Sequence, residues 1–225
     1  SVTDWQGEFK VMKCPRCVQR VHSRARECPH CSFSITDVDR VFGQDDVRLR
    51  TLTDAAGVLR RKERIALRGR LDQFQQNFPQ LFFGIYFGSF KETPSLRQFG
   101  FWLLNRGAFE DVDVSRPNEG GILLSVDVGG KSAGITSGYA LGPFLSEDAT
   151  FGALSGAHPY FLEGQWLRAS ESVLSRITKV LAKQSRRAER EGNELRAHHE
   201  NAGSSDEGLR GLRERHKGGR KKSEA

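Results

Sequence analysis

The stretch "LFFGIYFG" at residues 81–88 is short, almost wholly apolar and rich in aromatic side chains. A run of this length without polar alternation suits a strand buried on both faces, so it predicts the centre of a sheet covered by helices. Immediately upstream, "LTDAAGVLRRKERIALRGRLDQFQQNFPQ" places Leu67, Leu71, Phe74 and Phe78 at spacings of four, three and four. That is an amphipathic helix ending before Pro79, with Asp54 in the loop ahead of it. Downstream, "SLRQFGFWLLNRG" at 95–107 predicts a second helix with Leu96, Phe99, Leu103 and Leu104 inward and Gly107 as its stop.

The chain then reads "GGILLSVDVGGKSAGITSG", an apolar run and an alternating run on either side of Gly129-Gly130, which predicts an antiparallel hairpin. In "LSEDATFGALSGAHPYF", Ser146 is placed as an N-cap with Asp148 in the first turn, giving a third helix. Trp166, Ala169, Val173, Ile177 and Val180 form the stripe of a fourth, from Gln165 to about Lys183. The order helix, strand, helix, two strands, two helices predicts an α/β domain over residues 53–183, a small mixed sheet flanked by helices in two or three layers.

A chain of 225 residues, 37% apolar and with fifteen Phe, buries one ordinary core with sequence left for appendages. No window is apolar enough for a membrane span, and residues 1–25 lack the apolar region of a secretory signal, so a soluble, cytoplasmic protein is expected. The net charge of +7 sits at the ends: +3 over residues 1–31, +4 over 183–225, and zero between. Basic ends favour polyanions through phosphate contacts, and they also solubilise. Residues 36–52 mix polar with single apolar positions and read as a linker. Residues 184–225 read as a basic polar tail, helical at its start and disordered later.

All four cysteines stand in "CPRCVQRVHSRARECPHC" at 14–31, with the spacing C-x2-C-x10-C-x2-C. Two tight turns, each aiming two sulfurs at one ion, complete a tetrahedral site, so Cys14, Cys17, Cys28 and Cys31 are the expected ligands of a structural Zn2+ in a ribbon over residues 1–35. Pro15 and Pro29 fix φ at the same place in each turn. Four thiolates leave no open position for a water, so this zinc is expected to hold structure and not to do chemistry. His22 and His30 are expected at the surface. Arg16, Arg20, Arg24 and Arg26 either grip phosphates or offset the negative charge of the centre.

Residues 53–183 resemble the TPM domain family, whose members include thylakoid lumen phosphatase-like and photosystem repair proteins. The resemblance rests on "LTDAAGVL", "GIYFG", "NRG" and "NEGGILLSV", followed by "SGYALGPFLSEDA" and "HPYFLEGQW", all in the family's order over about 130 residues. It implies a Rossmann-like α/β fold, and for some members weak phosphatase activity or calcium binding by a carboxylate cluster. The matching oxygen donors are Asp54, Asn118 and Asp148, which would hold Ca2+ or Mg2+ if the loops bring them together. Asp111 and Asp113 are expected on a solvated loop. The N-terminal ribbon and the Gly129-Gly130 turn depart from the family.

Two functions from different classes follow. In one, the TPM-like domain is an interaction and assembly module that meets a protein partner, docked through its ribbon. In the other, it is a cation-dependent phosphatase-like hydrolase. Nucleic-acid binding through the basic ends is a third reading, without aromatics interleaved among the ribbon arginines. No Ser/His/Asp or Cys/His nucleophile pattern is visible, His158 lying beside Pro159 at an expected helix end.

Overall fold

The computed structural model describes residues 11–22, 24–90, 95–113 and 118–218, with side chains from 12 through 194. Residues 1–180 form one compact unit and residues 181–225 a second.

The first unit is mixed α/β and centres on the stretch that reads as a buried strand. β5 (Phe82–Gly88) pairs in parallel with β4 (Leu52–Asp54) on one side and with β7 (Gly121–Asp127) on the other. β8 (Ser132–Ser137) closes the sheet antiparallel to β7, giving the order β4-β5-β7-β8. Alternate side chains of β5 and β7 serve opposite faces. Phe82 and Leu123 join Leu103 and Trp102 of α3 (Leu96–Arg106) in one core. On the other face Phe83 meets Phe74 of α2 (Arg61–Asn77), ring centroids 5.6 Å apart, and Phe87 meets Trp166 at the start of α5 (Trp166–Gly218) at 6.5 Å. Fully burying one such side chain contributes about 1.5–3 kcal/mol, which is why the aromatic run fixes the sheet's centre.

The helices follow the sequence spacing. Leu67, Leu71 and Phe74 are the buried positions of α2, and Phe78 caps its end ahead of Pro79. Ser95 caps α3 through its hydroxyl, which accepts from the Gln98 N–H at 3.1 Å. Gly100 on α3 sits against Thr136, so close that a Cβ there would overlap the threonine hydroxyl. Ser146 caps α4 (Glu147–Leu162), which extends through Pro159 for its last turn. In α5, Ala169, Val173 and Ile177 are fully buried.

In three places the structure departs from expectation. Residues 36–52, read as a linker, carry α1 (Ile35–Phe42) and β3 (Val47–Leu49). The Ser34 N–H donates to Asp37 Oδ2 at 2.8 Å, a capping signal inside what looks like polar connector. β3 pairs in parallel with β6 (Gly107–Phe109), a strand that begins at the expected glycine stop itself. In the β7–β8 turn the left-handed residue is Lys131, with φ 49°, and neither glycine has positive φ. Gly130 is needed for another reason, because a Cβ there would collide with the Asp127 carboxylate, whose Oδ1 accepts from Phe90 and Gly129 N–H groups. Third, α5 continues to Gly218, where a disordered segment is expected; residues 219–225 lie outside the described residues. Its exposed turns carry the Arg187–Glu191 pair at 2.7 Å, an i,i+4 contact that favours helix.

The ribbon is part of the first unit's core. β1 (Val11–Lys13) and β2 (Arg20–His22) form a hairpin. Cys14, Val21, Cys28 and Phe33 are buried in the same cluster as Val38 of α1 and Phe99, Trp102 and Leu103 of α3. Phe42 meets the Phe99 ring edge-on and the Trp102 ring at a tilt, and the Trp102 indole N–H donates to the Gly43 carbonyl at 2.8 Å. Asp39 and Arg106 complete this seam. The guanidinium donates Nε–H to Oδ1 at 3.0 Å and Nη2–H to Oδ2 at 2.6 Å, with the Asp39 side chain only 2% exposed.

Candidate metal centre and the cleft beside it

The two Cys-Pro-x-Cys turns have the same backbone. In the first, the Val18 N–H donates to the Cys14 carbonyl at 2.9 Å and the Cys14 N–H to the Gln19 carbonyl at 2.9 Å. In the second, Ser32 donates to Cys28 and Cys28 to Phe33, each at 2.8 Å. The residue after each second cysteine turns left-handed, Val18 at φ 64° and Ser32 at φ 55°. Two equivalent turns thus face each other, and the four sulfurs lie within 4.8 Å of one another. Cys14 and Cys31 are 3.7 Å apart at sulfur, and Cys17 and Cys28 3.6 Å. A tetrahedron with metal–sulfur bonds of about 2.3 Å has edges of about 3.8 Å, so the spacing fits one four-coordinate ion.

The thiols differ in acidity. Burial raises Cys14, and loss of hydration together with the neighbouring thiols pushes Cys31 up to about 12. At Cys28 burial acts in the same sense but is outweighed by the His30 and Cys31 amides and by Cys17 and Cys14, and the value falls to about 7. A crowded set of this kind cannot ionise together unless a cation compensates it, so four thiolates at this spacing call for a divalent ion among them. His22 and His30 are exposed and outside the cluster. Arg16 is exposed and lies over the Phe33 ring at 4.9 Å and 3.8 Å from Asp37.

The oxygen donors are not gathered in the same way. Asp54 ends β4 at the carboxyl edge of the parallel strands, whereas Asn118 precedes β7 at the amino edge. Seven residues of strand put about 20 Å between those edges. Asp148 is exposed on the first turn of α4, toward the Asn118 end. Each has a local task. Asp54 accepts from the Val58 N–H at 3.0 Å and the Leu59 N–H at 2.9 Å, one oxygen each, and so folds the turn into α2. Asn118 donates to the Leu104 and Gly107 carbonyls at 2.7 and 3.2 Å. Asp111, expected on a solvated loop, accepts from the Thr51 N–H at 2.8 Å and hydroxyl at 2.7 Å and ties the β3–β4 connection down. Asp113 makes contacts of its own. His158 is exposed.

Replacing Asp54 by Ala strands two amides beside buried Leu59, and the expected result is a loss of about 2 kcal/mol in unfolding free energy by denaturant titration. An unchanged midpoint would show that the carboxylate is not needed for this turn.

Sequence reasoning did not foresee a cleft of about 750 Å³ between the ribbon and the domain. Met12, Lys13 and Arg20 line it from the ribbon, Arg97 and Phe101 from α3, and Ile135 to Ser137 from β8, with Gly138 just beyond it. An ion pair from Lys13 to Glu147 ties the ribbon to the first turn of α4. The Gly138 N–H donates to the Gly121 carbonyl at 2.9 Å, marking a hydrogen-bonded pair of the β7–β8 ladder. Such pairs alternate in an antiparallel ladder, so Gly134 and Thr136 also face β7. Ile135 and Ser137, both lining the cleft, therefore turn their N–H and C=O groups outward along the sheet edge. β8 is the last strand of its sheet, and no single local pattern announces the cleft along it, because the other wall comes from ribbon residues more than a hundred positions earlier in the chain.

No family model matches the chain, and no curated protein matches it. Among solved structures it is similar to the solution NMR structure of the N-terminal domain of a protein from P. gingivalis, at 19% identity and a TM-score of 0.47, covering 60% of this chain and 83% of that one. It is also similar to the solution NMR structure of the N-terminal domain of the cg2496 protein from Corynebacterium glutamicum, at 12% identity and a TM-score of 0.45, covering 58% and 78%. What the chain itself defines is a mixed α/β protein with a four-cysteine cluster able to hold a metal ion. Among the described residues no helix is long and apolar enough to cross a membrane.

Proposed function

We propose that this chain is a TPM-type α/β domain with a fused ribbon holding one structural Zn2+ through Cys14, Cys17, Cys28 and Cys31. It works as a non-enzymatic interaction and assembly module that takes an extended segment of a protein partner along the edge of β8. The observation that carries this reading is the cleft in which Ile135 and Ser137 present outward backbone groups between walls supplied by the ribbon and α3. An added strand satisfies those groups, and pockets beside it read alternate side chains. Zinc supplies a rigid wall and no reaction, because four sulfurs fill its coordination shell.

The phosphatase-like alternative requires Asp54, Asn118 and Asp148 to converge on a cation, and the opposite placement of Asp54 and Asn118 gives it no support.

Deleting the ribbon is a poor test, since Cys28 and Phe33 belong to the shared core. Ser137→Pro removes one outward N–H without touching the ladder to β7, and Arg97→Glu reverses a charge at the wall. Proteins captured from native extract by the full chain, and cross-linked near residues 135–138, should be lost with both variants at unchanged melting temperature. Retention of the same proteins by both variants overturns the cleft as the docking site. Phosphomonoester hydrolysis that needs Ca2+ or Mg2+ and vanishes in a folded Asp54→Asn variant overturns the non-enzymatic reading.

A further inference from the structure

Helix α3 and strand β8 run side by side in the same direction along the cleft. Leu96 and Arg97 lie against Gly134, where a Cβ would stand 3.1 Å from the Leu96 Cβ and 3.9 Å from the Arg97 nitrogen. One turn later Gly100 lies against Thr136. At the far end Gly138 packs on the backbone of Asn118 and Glu119, and the Asn118 amide donates to the Leu104 carbonyl at 2.7 Å. Four residues of helix advance about 6 Å and two residues of strand about 6.7 Å, so the two elements stay in step. Arg97, Phe101 and Asn105, four apart on α3, all line the cleft and stand at the levels of Gly134, Thr136 and Gly138 in turn.

The charges beside β8 are ordered along the same direction. Lys13 and Glu147 satisfy one another, whereas Arg97 and Glu119 are exposed and have no ion pair among the described residues. Arg97 stands at the Gly134 end with the amino end of α3, whose dipole also favours negative charge, and Glu119 stands at the Gly138 end. Arg20 adds a further unpaired positive charge from the ribbon. Between the two ends Phe101 is half-buried against Phe33, ring centroids 5.6 Å apart, and Met12 is partly buried on the same cluster. The wall beside the strand thus runs from positive through apolar to negative.

We propose that the partner segment docked at β8 reads, from amino to carboxyl end, basic–x–apolar–x–acidic. This rests on the reading of β8 as a docking edge and names the chemistry of its occupant. Antiparallel addition gives the more stable ladder, and residues directly opposite one another share a face of the sheet. The residues opposite Gly138, Thr136 and Gly134 therefore project onto the α3 wall and meet Glu119, Phe101 and Arg97 in that order. Glycine at both outer positions leaves space on β8 for the long charged side chains, with Thr136 under the shorter apolar one.

Amide shift titrations of the isotope-labelled full chain test it with three end-capped peptides. The first is Thr-Lys-Thr-Leu-Thr-Glu-Thr, the second its charge-exchanged form Thr-Glu-Thr-Leu-Thr-Lys-Thr, and the third the first with Leu replaced by Thr. The first should move the signals of residues 135–138 and bind about tenfold tighter than the second, the difference between two attractive and two repulsive half-exposed pairs. The third should bind more weakly than the first, and Arg97→Glu combined with Glu119→Lys should invert the preference between the first two. Ser137→Pro should weaken all of them. Equal binding of the two charged peptides, or a preference that the double variant does not invert, overturns the proposed order; if Ser137→Pro still weakens them, the docking edge itself stands. Undiminished binding to Ser137→Pro places the peptides elsewhere and overturns the edge reading together with this one. No binding of the first peptide overturns the proposed occupant.

Discussion

With the proposed Zn2+ at the four sulfurs, a Cys28→Ser chain is expected to lose the ion and, with it, the fold of more than the ribbon. Structural zinc in a four-ligand site supplies on the order of 10 kcal/mol of folding free energy, a magnitude comparable with the whole stability of a domain. Here the loss is not confined to a detachable module. Cys14 and Cys28 are 1% and 3% exposed and belong to the same buried cluster as Phe33, Val38, Trp102 and Leu103. Removing one ligand opens that cluster from the α1–α3 side. Metal content should fall from about one zinc ion per chain, and thermal unfolding should shift by tens of degrees or split into two transitions. Chelation of the native protein should reproduce the change. A variant with native metal content and native unfolding would remove the zinc assignment.

Arg106→Leu should also be costly, for an electrostatic reason. Asp39 has its side chain 2% exposed, and both of its oxygens are occupied by the Arg106 guanidinium. Without that partner a carboxylate is left buried and unpaired, a change that costs about 3 kcal/mol or more. The guanidinium itself is 30% exposed, so its own desolvation is modest and the penalty comes mainly from the stranded acid. Replacing both residues by Leu should return much of the loss, because the uncompensated charge disappears along with the pair. Equal stability of the single and double variants, measured by urea titration, would show that the cost is packing alone.

The elements that the sequence discloses are those whose causes are local. The aromatic run of β5, the four-three-four spacing of α2, the Ser146 cap and the two Cys-Pro-x-Cys turns each carry their reason within a few residues. What stays hidden depends on distant partners. β3 and β6 are three residues each and exist by pairing with one another across about sixty positions of chain. Asp39 reads as a linker residue and is buried because Arg106 meets it from α3. Asp111 reads as solvated and instead holds Thr51. The Ser34–Asp37 cap and the three-four spacing of Ile35, Val38 and Phe42 were local signs that the linker is helical, but they span only eight residues and are easily lost among polar neighbours. For the candidate site the contrast is the same: the sulfurs are placed by sequence spacing, while convergence of Asp54, Asn118 and Asp148 depends on strand direction, which the spacing does not encode.

The wall that Met12, Lys13 and Arg20 contribute to the cleft has a thermodynamic consequence. In the proposed reading, the strands carrying these residues are ordered by the metal and simultaneously touch the bound peptide. Metal and peptide then share a cycle, and the factor by which zinc tightens the peptide equals the factor by which the peptide tightens zinc. A protein engaged in assembly would give up its ion to a chelator more slowly than the same protein alone, so occupancy of the edge strand becomes readable at the four sulfurs.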